Sequence, residues 1–123
     1  LKLNKGNMNA VVTDAGAELI SFTDGSGMEY IWSGDPAYWG GRNPELFPVV
    51  GGLLDGKIKC KGETYEMGRH GFARNSVFAV ADSGADFVEY RLVSDDVTRA
   101  KFPYDFDFRG RRKRIYHSAH RNR

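Results

Sequence analysis

Residues 68–75 read GRHGFARN and set His70 between Arg69 and Arg74, around Gly71 and Phe72. Histidine ordinarily titrates near neutral pH and can hold or move a proton, whereas a guanidinium forks two N–H groups onto paired oxygens. A second run, GDPAYWGGRNPE over residues 34–45, places one arginine, Arg42, between glycine and Asn43-Pro44, with Tyr38 and Trp39 shortly before it. Both runs are long connections full of turn formers, and such loops are where sites commonly lie. Each residue also has a plainer role. Taken alone, His70 reads as a structural loop histidine, and Trp32, Tyr38 and Trp39 read as packing. Arg69 reads as a solvated charge, and Asp35-Pro36 and Asp55-Gly56 as turn formers. His117 and His120, three apart in a basic stretch without acid or thiol partners, make a poor metal site.

The elements that must position these loops read as strands. No stretch of ten or more residues shows apolar spacing at three and four. Residues 9–13 and 17–22 flank the turn Asp14-Ala15-Gly16, and 28–32 runs into Ser33-Gly34-Asp35-Pro36. Residues 57–60 and 63–67 alternate polar and apolar around Lys61-Gly62, a hairpin signal. Residues 76–81 and 87–93 form another pair, with Val88, Tyr90 and Leu92 on the face opposite Phe87, Glu89 and Arg91. Short strands at this spacing, with glycine-rich turns and no crossover helices, predict an all-β fold, an antiparallel β-sandwich.

The 123 residues are one domain's worth of chain, and their 41% apolar and 28% charged content is ordinary for a globular protein. The longest apolar run, residues 47–54, falls far short of the roughly 20 residues a membrane helix needs. The opening LKLNKGN lacks the apolar core of a secretory leader. Cys60 is the single cysteine, so an intrachain disulfide is excluded, which favours a reducing compartment; the expected location is cytoplasmic. The net charge of +2 hides a split: residues 109–123 hold seven of the 18 basic residues and no acid, leaving 11 basic against 16 acidic residues before them. Chain-wide basicity is therefore no argument for nucleic-acid binding.

Four segments in order, GAELISF (16–22), EYIWSGDPAYW (29–39), RNPELFPVVG (42–51) and RHGFAR (69–74), resemble the aldose 1-epimerase family, and specifically its galactose-mutarotase-like branch typified by bacterial LacX proteins. The likeness continues through Thr98 and FPYDF (102–106). It implies the N-terminal portion of a β-supersandwich and an enzyme that interconverts sugar anomers. In that chemistry a base removes the anomeric hydroxyl proton while an acid protonates the ring oxygen, with each group within about 3 Å of its proton. The family takes its catalytic histidine and carboxylate from the second half of the fold, and this chain contains neither. It therefore has no assigned catalytic residue, with His70 an auxiliary candidate. The resemblance implies substrate-binding roles for Arg42, His70, Arg74, Trp39 and Phe72. Arg42 would fork onto adjacent hydroxyls, His70 would hydrogen-bond a hydroxyl or the ring oxygen, and Arg74 would buttress the loop or bind an anionic group. Trp32, Tyr38 and Trp39 would offer flat faces to the C–H side of a pyranose. The implied partner is a hexose of galactose or glucose type, with no metal or organic cofactor. A phosphorylated hexose stays open, but no glycine-rich phosphate loop opens a helix, which favours the neutral sugar.

The expected division is 1–108 as the family-like part and 109–123, RGRRKRIYHSAHRNR, as a basic tail foreign to the family or disordered. A shifted reading frame or fragment end competes there with a basic arm that would grip nucleic-acid phosphates. Half a supersandwich would leave sheet edges unpaired, so self-association is expected. A non-catalytic carbohydrate-binding module is the rival function.

Overall fold

The computed structural model describes residues 1–113. It is all-β, with eight strands in three antiparallel sheets and one four-residue helix. The first sheet holds β1 (Lys2–Lys5), β2 (Met8–Thr13) and β3 (Glu18–Thr23) in that order. A separate hairpin pairs β4 (Lys57–Cys60) with β5 (Glu63–Glu66). The third sheet is β6 (Ala79–Ser83), β7 (Phe87–Val93) and β8 (Asp107–Lys113), with the helix α1 (Asp96–Arg99) between β7 and β8.

Alternation explains the packing. In the first sheet Leu3 pairs with Ala10 and Ala10 with Phe22, which lays an apolar row across all three strands. In β7, Val88, Tyr90 and Leu92 are buried. The two inner faces share one core, joined by Phe78 and by the loop aromatics. Leu3, Val12, Val88 and Tyr90 are among its most completely buried side chains, each contributing about 1.5–3 kcal/mol relative to exposure. Polar ties reinforce the sandwich. The Asn4 N–H donates to the Ala85 carbonyl at 2.9 Å, and the Tyr90 hydroxyl donates to Asp14 at 2.8 Å across 76 residues of sequence.

Three elements differ from the sequence expectation. Residues 28–32 do not form a strand; only Glu29 bridges Thr23. Side chains capture the backbone donors there. Asp24 accepts from the N–H groups of Ser26 and Met28, and the Glu29 carboxylate accepts from those of Phe22 and Ile31, which competes with ladder formation. The strand expected over 76–81 begins only at Ala79, because the Ser76 N–H closes a 3-10 turn onto Ala73. Strand β8 crosses position 108, so residues 109–113 of the basic segment belong to the third sheet, paired with residues 87–91 of β7. The remainder of that segment, with His117 and His120, lies outside the described residues. No helix among the described residues is long and apolar enough to cross a membrane.

Candidate functional site

The run from Arg42 to Gly51 and the run from Arg69 to Ser76 are stitched to each other through the backbone. The Phe47–Pro48 peptide is cis. The Phe47 carbonyl accepts from the N–H groups of both Phe72 and Ala73, at 3.0 and 3.1 Å. The two segments approach so closely that only glycine fits at position 71. A Cβ there would sit 2.2 Å from the Phe47 oxygen, and φ is +77°. The Phe47 ring is the hub beneath, stacked on Phe108 at 4.6 Å and edge-on to Phe72 at 6.2 Å.

His70 closes the far end of this pair. Its N–H donates to the Gly51 carbonyl at 2.9 Å, and the Gly51 N–H donates back to its Nδ1 at 2.8 Å. Nδ1 is thereby an acceptor, which assigns the proton of the neutral ring to Nε2. His70 holds φ of +64°, a left-handed conformation that histidine tolerates better than branched residues do.

Arg42 anchors the near end. Glu18 on β3 accepts from the backbone N–H groups of Arg42 and Asn43 at 2.6 and 2.8 Å. The guanidinium Nη2 donates to the Ser33 carbonyl, while its buried Nε has no hydrogen-bond partner. Gly34 is required here: a Cβ on it would lie 2.9 Å from that Nε. The Arg74 Nε is likewise buried without a partner. The Arg74 carbonyl butts against the β2–β3 turn, 2.8 Å from where a Gly16 Cβ would stand, so its backbone buttresses the loop.

The aromatics divide. Trp39 and Tyr38 are exposed, and the Trp32 indole N–H donates to the Trp39 carbonyl at 2.7 Å, shaping the outer loop. Phe72 is only 7% exposed and belongs to the core. It also borders a cavity of about 720 Å³ beside β5 and α1, which Glu66, Asn75 and Lys101 line as well. A second cavity, of about 380 Å³, lies between the first and third sheets. Arg42 and His70 line neither of these two. Sequence reasoning did not single out Glu18, Gly51 or Glu45. Glu45 pairs with Arg112, which also donates to the Ala17 carbonyl at 2.9 Å. No periodicity marks these partners, since each acts through the backbone or across a long sequence separation.

The fold and sequence have relatives among known proteins. The family model for aldose 1-epimerase matches residues 1–112. The plasmid-encoded protein LacX of Lactococcus lactis is 33% identical over 99 residues, which cover 76% of this chain and 33% of LacX. Among solved structures, a galactose mutarotase related enzyme from Lactobacillus acidophilus has a TM-score of 0.91 at 33% identity, covering 94% of this chain and 39% of that one. A galactose mutarotase-like protein from Lactobacillus casei has a TM-score of 0.86 at 29% identity, covering 90% of this chain and 38% of its own. The chain thus spans about a third of the length of the curated relatives it matches. With 112 of its residues under one family model and its fold shared with two mutarotase-type structures, the chain belongs to the aldose 1-epimerase family.

Proposed function

We propose that this chain is the sugar-positioning part of an aldose 1-epimerase acting on a hexose of galactose or glucose type in the cytoplasm. The observation that supports it best is the stitched loop pair, which fixes the His70 tautomer through the Gly51 N–H and braces the Arg42 backbone on Glu18. Neutral His70 has a proton on Nε2 to donate to a ring oxygen or hydroxyl, and Arg42 has a guanidinium suited to paired hydroxyls. Arg74 supports the loop, and Trp39 supplies an apolar face. Anomer exchange needs a base at the anomeric hydroxyl and an acid at the ring oxygen. His70 alone serves one side, so the reading assigns the opposing group to polypeptide outside these residues and calls for no cofactor.

Polarimetry of freshly dissolved α-galactose, run beside a binding titration, tests the proposal. Saturable hexose binding with negligible acceleration of mutarotation is the predicted pair of results. Acceleration by this chain alone would refute the division of labour. Absence of saturable binding to both galactose and glucose would refute the sugar reading itself.

A further inference from the structure

The loop from Trp32 to Arg42 is closed on itself by side chains that donate to its own carbonyls. The Trp32 indole N–H reaches the Trp39 carbonyl at 2.7 Å, and the Arg42 Nη2 reaches the Ser33 carbonyl. Between these two locks the Asp35 carbonyl accepts from the N–H groups of Tyr38 and Trp39, each at 3.0 Å, and its carboxylate accepts from the Ala37 N–H. The loop also crosses itself tightly. A Cβ on Gly34 would lie 3.0 Å from the Gly40 carbonyl oxygen, and one on Gly41 would lie 2.8 Å from the Trp39 ring. Trp39 is therefore laid against Gly41 while staying 51% exposed. An exposed indole on an unbraced loop samples several orientations, and binding must overcome that freedom; this one is held in advance.

The same closure orients Arg42. Its Nε is buried and Nη2 is engaged by Ser33, which leaves the Nη1 end of the guanidinium for a ligand. An apolar face and a set of donors held at one spacing suit a ligand that shows a flat C–H face and hydroxyls together. A closed pyranose does so, and an open-chain polyol does not. We infer that Trp32 is a positioning residue for the sugar site: its indole N–H holds the Trp39 face in register with Arg42, and this fixed spacing selects the ring form of the sugar over an open chain. Trp32 acts through the Trp39 backbone and is not a platform of its own; its ring meets Tyr38 edge-on at 6.3 Å. The inference rests on the hexose reading of these loops.

The test uses the isotopically labelled 123-residue chain and two variants. Trp32→Phe keeps an aromatic ring, removes the donor and leaves Trp39 as the sole tryptophan; Gly41→Ala pushes on the Trp39 ring without touching Trp32. Indole relaxation reports whether Trp39 is held. Titrations with galactose and with galactitol, the open-chain alcohol derived from it, report what the hold does. The Trp39 indole is predicted to be as rigid as the backbone in the wild-type chain and mobile in both variants. Galactose affinity should fall about tenfold in both, with weak galactitol binding unchanged. Thermal melts should match the wild type for Trp32→Phe, because Trp32 is 42% exposed. A merely structural role would move the two affinities together or not at all. Three results would overturn the inference: a Trp39 indole equally rigid or equally mobile with and without the Trp32 donor, a wild-type chain that binds galactose and galactitol alike, or a loosened Trp39 with galactose affinity intact. A wild-type chain that binds no galactose would sink the hexose reading and the selection with it, whereas the relaxation comparison would still decide whether Trp32 holds Trp39.

Discussion

His70 combines two demands that one substitution can separate. Asparagine tolerates the left-handed backbone and its side-chain oxygen can replace Nδ1 as acceptor for the Gly51 N–H, but it has nothing in the place of Nε2. His70→Asn is therefore predicted to retain the wild-type melt and to weaken galactose binding about tenfold, measured by titration; unchanged affinity would remove His70 from the site. Tyr90 makes a separate test of the core. Burial, then the hydrogen bond to Asp14, pushes its phenol well above the usual range. Tyr90→Phe keeps the ring and loses the bond, at a predicted cost of about 1 kcal/mol in urea unfolding. Acid sensitivity belongs to the carboxylates. Glu29 is lowered from 4.5 to about 2, chiefly by the Ser21 hydroxyl and then by the Phe22 and Ile31 N–H groups, and Asp107 is lowered to about 2 chiefly by Arg91. Their folded values lie below the unfolded ones, so this stabilisation is complete above the ordinary carboxylate range and is lost as pH falls from about 4.5 towards 2. Urea midpoints measured down that range should fall, and Glu29→Gln should flatten part of the drop.

At the scale of elements, the joint between the two site loops is the feature most open to challenge. Gly71→Ala adds a Cβ 2.2 Å from the Phe47 oxygen at φ of +77°, whereas at Gly62, with φ of +80°, an added Cβ meets nothing within 4 Å. Gly62→Ala should therefore cost about 1 kcal/mol for its backbone alone. Gly71→Ala should cost about 3 kcal/mol or more and separate the loops, as read from paired denaturation curves. Equal costs would show that the close approach is not structural. The strands were legible where one face is buried. The 87–93 alternation is reproduced residue for residue, and the hairpin around Lys61-Gly62 forms, with Cys60 opposite Glu63. Legibility failed where side chains decide the backbone's partners, as Asp24 and Glu29 do over 28–32, and where a strand carries charge. β8 reads as a basic tail because Arg109, Arg111 and Lys113 occupy its outer face, while Phe108 and Gly110 turn inward. The two site loops were visible from their residue types, but the contacts of Glu18 and Gly51 that hold them were not.

For the whole molecule, Arg112 ties the third sheet to the site loops through Glu45 and the Ala17 carbonyl. Arg112→Ala is predicted to lower stability by about 2 kcal/mol; no loss would mean that the basic strand is dispensable to the fold. The exposed β6 edge, Ala79–Ser83, is the surface we expect to drive self-association at high concentration, and size-exclusion chromatography over a dilution series would detect it. The central claim is that the loops around Arg42 and His70 together hold a hexose. Titrating galactose into the isotopically labelled chain while following backbone amide resonances tests that claim most directly. Saturable shifts concentrated in residues 42–51 and 69–74, reduced by His70→Asn, are predicted. Shifts that never saturate, or that gather elsewhere and leave Gly51 and His70 unmoved, would contradict it.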